Sequence, residues 1–261
     1  MLDLDKDYRL FIGNLKQHIN VDLSQYKETQ MKRRLTMLKN KRGYVNFQEY
    51  LKDILKHPDL MDEFLDRMTI NVSEFWRNPN RWSLLEKKYI PELLTQKEQL
   101  VCWSAGCSTG EEAYTLSMIF AEQTQSSRYK IIASDLDERV LEKAKEGKYD
   151  ERSLRDLPEK YFKYIKKEQS LYKAAGQLQK NICFEKKNLL SDPFDTHFDL
   201  IICRNVMIYF TNEAKHLLYQ KFSNALKPGG ILFVGSTEQI FSPKDYQLDT
   251  EDMFFYRKMT N

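Results

Sequence analysis

The chain has 261 residues, 41% hydrophobic and 30% charged, long enough to bury a sizeable core as one large domain or as one domain with a small companion. Its net charge of only +3 gives no footprint for nucleic-acid binding, and it holds neither a run of about 18 apolar residues nor the apolar core of a signal peptide, so it reads as neither membrane-inserted nor secreted. Cys102, Cys107, Cys183 and Cys203 form no C-x-x-C and have no histidine at ligand spacing, which argues against a metal site and for reduced thiols in a cytoplasmic protein.

Residues 1–90 carry 17 Lys/Arg against 13 Asp/Glu and the remainder 24 against 25, so a docking surface for an acidic partner is expected in the N-terminal third. Here the pattern is helical from Asp3 to about Arg67. Leu4, Tyr8, Phe11, Ile12 and Leu15 make one apolar stripe on a first helix. A second helix is predicted from about Tyr26 to Arg42, with Met31, Leu35 and Leu38 on its buried side. Lys27, Lys32, Arg33, Arg34, Lys39, Lys41 and Arg42 stand on it against the single acid Glu28, as either a solvated face or a dock for something negative. Gly43 stops that helix, Asn46-Phe47-Gln48-Glu49 has the capping-box chemistry of a third, and Pro58 opens a fourth running through Met61, Phe64, Leu65 and Met68.

Polar and aromatic residues interleave from Thr69 to Pro79, at a junction where ligand sites commonly lie, and a helix follows to about Tyr89. After residue 98 strands and helices alternate: strand 100–105 and helix 111–124, strand 130–135 and helix 137–146, strand 198–203 and helix 212–226, then strand 231–236 and a last strand at 253–258. Repeated β-α units predict a doubly wound, mainly parallel sheet closed by an antiparallel hairpin. Between the second and third units, Gly176 separates the strand-like runs Ser170–Lys173 and Gln177–Phe184, which predicts a small antiparallel β insertion at about residues 165–187. The expected organisation is a helical domain over 1–75, a linker helix over 76–98 and an α/β domain over 99–261.

Leu100 to Glu112, LVCWSAGCSTGEE, reads as strand, tight loop and helix, with Gly106 and Gly110 placed for a sharp turn or for close approach of a ligand. Asp135 ends the next strand, where a doubly wound fold sets an acid on the ribose hydroxyls of its cofactor; Ser134 and Asp137 are available to cap the following helix instead. Asn188-Leu189 falls just past another strand end on the same rim. Cys203-Arg204-Asn205-Val206-Met207-Ile208-Tyr209-Phe210 brings Asn205 and Tyr209 to the carboxyl edge of the sheet. His18, His57, His197 and His216 form no Ser-His-Asp or Cys-His arrangement, which weakens a hydrolase reading.

Taken together, TINVSEFWR (69–77), WSAGCSTGEEAY (103–114), ASDLDERVLEKA (133–144) and CRNVMIYF (203–210) resemble the CheR family, the S-adenosylmethionine-dependent methyltransferases of chemotaxis receptors, and the resemblance runs essentially end to end. It implies a Rossmann-like methyltransferase domain behind an all-α domain. It also implies cofactor contacts from Asn71, Ser73, Arg77, Glu112, Asp135, Asn188, Leu189 and Asn205, with Arg77 and Tyr209 nearest the reacting groups. The product pair would be S-adenosylhomocysteine and glutamyl methyl esters on methyl-accepting chemotaxis receptors, docked through Lys32, Arg33, Arg34 and Lys39 of the second helix. Some family members grip a receptor tether with a β insertion whose turn holds a glycine; Tyr164–Leu171, YIKKEQSL, has none, so direct recognition by the basic helix is expected instead. A non-catalytic regulator that senses the cofactor or another nucleotide is the alternative of a different class. A nucleic-acid methyltransferase is disfavoured by the low charge and by the missing Asp/Asn-Pro-Pro-aromatic tetrad.

Overall fold

The computed structural model describes residues 4–69 and 72–260. The chain divides into two compact units: residues 1–71 with 209–217, and residues 72–208 with 218–261. The first unit is helical, with α1 (Leu4–Ile19), α2 (Glu28–Lys41), α3 (Phe47–Ile54) and α4 (Pro58–Thr69). Tyr8, Phe11 and Leu15 of α1, Met31, Leu35 and Leu38 of α2 and Phe64 and Met68 of α4 are buried, as the periodicity predicts. Phe11 meets Phe47 at 5.0 Å and Phe64 at 6.2 Å between ring centroids. Burying each such side chain contributes about 1.5–3 kcal/mol. The start of α3 has the expected N-cap, Asn46 Oδ1 accepting the Glu49 N–H at 2.9 Å, while Glu49 Oε1 accepts the Asn46 side-chain Nδ2–H at 3.0 Å rather than the backbone N–H of a full capping box. Residues 209–217 join this unit through Lys27 N–H donating to the Tyr209 carbonyl at 2.8 Å and an antiparallel bridge between Tyr26 and Phe210.

The second unit opens with α5 (Pro79–Leu84), a π-helical turn (Leu85–Tyr89) and α6 (Ile90–Gln96). This stretch, expected as a linker, lies in the main core of the unit: Trp82, Leu85, Tyr89, Ile90 and Leu93 are buried, with Trp82 edge-on to Phe233 and Tyr89 stacked on Phe255. A segment carrying that many large apolar side chains cannot remain in solvent as a spacer. There follow β1 (Leu100–Ala105), α7 (Glu111–Gln123), β2 (Tyr129–Asp135), α8 (Glu138–Glu146), β3 (Lys148–Tyr149), β4 (Ile165–Glu168), β5 (Leu171–Ala174), α9 (Gly176–Gln179), β6 (Ile182–Lys186), β7 (Phe198–Cys203), α10 (Asn212–Ala225), β8 (Leu226–Val234), β9 (Leu248–Asp252) and β10 (Phe255–Lys258). The main sheet runs β6-β2-β1-β7-β8-β10-β9, parallel from β6 to β8 and antiparallel over β10 and β9. Every residue of β7 is buried, so both faces of the central strands are covered, as parallel strands require.

Two strand expectations change. The insertion is a three-stranded antiparallel sheet, β3-β5-β4, whose hairpin turns at Gln169-Ser170 with Gln169 at φ 56°. The run at 177–184 does not pair within it: Gly176 opens the short α9, and Ile182–Lys186 becomes the parallel edge strand β6, with Ile182 opposite Ile131. The expected last strand is β10, and a further strand not expected, β9, precedes it, with Phe254 at φ 75° turning the chain between the two.

Candidate active site

The loop after β1 is built for close approach. Gly106 has φ 79° and Gly110 φ 93°; a Cβ on Gly106 would run into the Val206 side chain, and one on Gly110 would sit 2.8 Å from Ala144 Cβ. Asp135, at the end of β2, fixes this loop by accepting the Ser108 N–H at 2.9 Å on one oxygen and the Asp137 N–H at 3.1 Å on the other. Asp137, accepting the Arg139 N–H at 2.9 Å, is the residue that caps α8. A carboxylate offers about four acceptor positions, so Asp135 keeps capacity for hydroxyl donors. Burial pushes its carboxyl up, and the backbone donors partly oppose that.

Glu112, in the first turn of α7, accepts the Ser104 hydroxyl at 2.7 Å and lies 3.5 Å from Arg204 Nη1. Arg204 is 8% exposed. Its Nη2 donates to the Arg77 carbonyl and to Asn78 Oδ1, both at 2.7 Å, and the Trp82 and Phe233 rings lie 5.5 and 5.0 Å from its guanidinium carbon. Burial raises the Glu112 carboxyl and lowers the Arg204 guanidinium, while each pulls the other back toward its charged form. Arg77 itself donates to the Val72 carbonyl at 3.2 Å. Ser73 hydrogen-bonds the buried Glu111 carboxylate, which also accepts Thr109 Oγ1 at 2.7 Å. Trp76, Asn78, Ser108 and Asn205 all hold positive φ, at 58°, 65°, 49° and 61°. Non-glycine residues cost about 1–3 kcal/mol each in such sparsely populated regions, and they gather where function over-determines the backbone.

Past β7, Glu238 holds the chain. Its carboxylate, 1% exposed, accepts the Asn205 N–H at 2.7 Å, the Gly235 N–H at 2.9 Å and the Ile208 N–H at 3.2 Å, and the Val206 and Met207 amides also point to it. A Cβ on Gly235 would collide with that carboxylate, so glycine is what admits it. Asn188 forms a local turn, its side-chain oxygen accepting the Leu190 N–H at 3.0 Å, and the buried Leu189 presents its carbonyl to Lys221 at 2.7 Å. Glu112, Asp135, Arg77, Ser73, Asn188, Leu189 and Asn205 thus all belong to the α/β unit; Asn71 lies outside the described residues. Tyr209 is grouped with the helical unit, where Arg34 lies over its ring at 5.0 Å.

The α2 residues divide. Lys39 is 4% exposed and donates to the Tyr44 and Val45 carbonyls at 2.9 and 3.1 Å, so it is a buried clasp on the chain after α2 and is not available to dock a partner. Lys32 is paired with Asp5, and Lys41 and Arg42 with Glu63 at 3.6 and 2.6 Å. Arg33 stays exposed.

Residues 71–254 match the family described as CheR methyltransferase, SAM binding domain, and residues 6–69 match CheR methyltransferase, all-alpha domain. The chain belongs to the CheR methyltransferase family. It is 44% identical over 98% of its length, and 98% of the relative's, to the chemotaxis protein methyltransferase of Listeria monocytogenes serovar 1/2a. It is 34% identical to that of Borreliella burgdorferi, over 88% of this chain and 87% of the relative, and 30% identical to that of Escherichia coli strain K12, over 90% and 84%.

The cofactor of this CheR-family chain is S-adenosylmethionine. The chain's own residues fit that molecule. Asp135 offers acceptors for a ribose diol, Glu112 a carboxylate for a cationic amine, and the glycine loop needs no third glycine because no pyrophosphate must be cradled. Sequence reasoning missed three residues. Arg204 stood in plain view as a charge inside the apolar run that ends β7, which is the signal for a buried, paired guanidinium. Ser104 and Glu238 carry no spacing signal; only the fold brings them to Glu112 and Asn205.

Proposed function

We propose that this protein transfers the methyl group of S-adenosylmethionine to glutamate side chains of methyl-accepting chemotaxis receptors, in the cytoplasm. The observation that carries the reading is a carboxyl edge furnished with acids, amides and arginines, with His197 ahead of β7 at the opposite edge of the sheet. A glutamate acceptor has an unperturbed pKa of about 4.3, is ionised at neutral pH, and needs no general base. When bound, the cofactor supplies an electrophilic methyl group on a cationic sulfur. What the chain must supply is alignment and the exclusion of water. Glu112 would hold the cofactor's amine, Asp135 its ribose and Asn205 its polar edge. Arg77 would orient a carboxylate by charge-assisted bonds worth roughly 1.5–3 kcal/mol each, and Tyr209 would support the reacting groups.

Receptor docking is assigned to α2, through the exposed Arg33 with the half-buried Arg34 beside it, rather than to a tether on the β insertion. The β4–β5 turn has Gln169 at its left-handed position and holds no glycine, whereas the tether-gripping members have a glycine-containing turn in their insertion. The test is incubation with methyl-labelled cofactor and a receptor cytoplasmic domain. Base-labile label released as methanol is the expected result; tight cofactor binding without labile label would overturn transfer in favour of a cofactor-sensing regulator.

A further inference from the structure

The carboxyl edge of the sheet does not end at the residues assigned to the cofactor. One strand pair further along, beyond the ends of β7 and β8, a cavity of about 460 Å³ is lined by Asn80, Arg81, Arg204, Phe233, Ser236 and Phe254, among others. Ligands of doubly wound sheets bind outside the carboxyl ends of the strands, and the β1 and β2 ends are taken by Glu112 and Asp135. Asn205, assigned to the cofactor, stands just past β7, so the β8 side of this edge is where an acceptor can come up beside the cofactor.

The lining is chemically one-sided. It contains two arginines and no Asp or Glu. Arg81 rests on neutral partners: its guanidinium carbon lies 4.9 Å from the Phe254 ring centre and its Nη2 is 3.3 Å from Met253 Sδ. Asp252, the acid whose field reaches Arg81, is already bonded to Lys88 Nζ and Tyr89 OH, each at 2.6 Å. Among the described residues the buried Nε–H of Arg204 has no acceptor, an uncommon condition for a group whose desolvation is costly. Arg204 already has Glu112 at 3.5 Å, so Arg81 is the cation with no carboxylate in the lining; with the buried Nε–H of Arg204, two amides and a hydroxyl it makes a site for a carboxylate, and the Phe233 and Phe254 rings suit a short methylene stem.

The geometry points to this cavity as the subsite for the carboxylate side chain of the methyl acceptor, with Arg81 as the residue that selects it. This assignment rests on the proposed transfer to glutamate. Glutarate serves as the probe. It should inhibit labelling of a receptor domain competitively against the receptor and not against the cofactor, and it should raise the melting temperature of the protein. Arg81→Gln should raise KM for the receptor domain and the glutarate inhibition constant by about tenfold, with Arg81→Lys recovering part of the loss and the cofactor Kd unmoved. Ser236→Asp, which places an acid at an exposed position of the lining, should raise the same two constants by electrostatic repulsion, so the idea stays testable if Arg81→Gln folds poorly. Competition of glutarate with the cofactor, or an unchanged receptor KM in both Arg81→Gln and Ser236→Asp, would overturn it. If no receptor is labelled at all, the transfer reading fails by itself. The glutarate-induced melting shift and its loss in Arg81→Gln still decide the subsite.

Discussion

Two sets of charge in this molecule use the same residue types in opposite ways. At the carboxyl edge of the α/β sheet, Glu112, Asp135, Glu238 and Arg204 are largely buried, and each is held by backbone groups or by another charge. On and just after α2 the cations other than the buried Lys39 lie at or near the surface, and some borrow acids from neighbouring helices, Lys32 from Asp5 and Arg42 from Glu63. A buried charge that loses its partner has no water to turn to, whereas a surface charge does. Sequence counts the two sets alike; burial decides which one is indispensable.

The contrast is sharpest at Arg204. Arg204→Met keeps the stem between Trp82 and Phe233 and leaves Glu112 with only Ser104, while the Arg77 carbonyl and Asn78 lose their donor. A loss of about 3–5 kcal/mol in folding stability is expected, with cofactor binding lost in the same protein. Denaturant melts and calorimetry read both; a variant as stable as the parent would break the distinction between the two sets.

Glu238→Gln comes next. The amide keeps the shape but turns an NH2 toward amides that now find a carboxylate, at a cost of about 1.5–3 kcal/mol. Because the Asn205 loop is what Glu238 holds, cofactor Kd should rise by about tenfold, an effect absent if the loop is set by other contacts. Lys39→Met, although it lies on the basic helix, should behave like these buried variants. It removes two charge-assisted bonds, costs about 1–3 kcal/mol in a melt, and leaves receptor affinity per folded molecule unchanged.

Acid pH separates stability from binding. Burial raises the carboxyls of Glu111, Glu112, Asp135 and Glu238, so over the range between the ordinary carboxylate pKa and those raised values the native protein holds more protons than the unfolded chain. Stability from these four therefore rises as pH falls through that range. The ion-paired Glu63, Glu122 and Asp252 are lowered, and their contribution is lost only at more acid pH. If Glu112 holds the cofactor's amine, cofactor affinity moves the other way, since the carboxyl offers less to a cation once protonated. The melting shift produced by S-adenosylmethionine should shrink as pH is lowered from neutrality toward the ordinary carboxylate range while the apo melting temperature holds or climbs; a shift independent of pH would mean that Glu112 does not face the amine.

The helical repeats, the β-α alternation and the position of Asp135 were legible because periodicity and strand ends are local properties. The assignment of Glu112 to the cofactor comes only through four motifs in order. The insertion was misread because the run at 177–184 has the same apolar content as a hairpin arm, and only pairing with β2 reveals it as β6. Lys39 was misread for a related reason: a lysine beside a helix end looks the same in sequence whether it meets solvent or the carbonyls of Tyr44 and Val45. Partners brought together over long separations, such as Glu238 and Asn205, have no local signature at all.

The smallest effect is expected at the exposed end of the comparison. Arg33 faces solvent and, among the described residues, meets no acid or ring, so the melting temperature and cofactor Kd of Arg33→Glu should match the parent. If α2 meets an acidic receptor surface, the reversal acts on encounter: kcat/KM for a receptor domain should fall a few-fold at low salt, and the gap should close as ionic strength shortens the Debye length from roughly 30 Å at 0.01 M toward 8 Å at 0.15 M. Salt dependence is the deciding feature, because a packing role would give a loss that salt does not erase. Unchanged receptor methylation at low salt would remove Arg33 from the docking surface and shift recognition to the α/β unit, where Arg81 already offers a cation with no acid opposite.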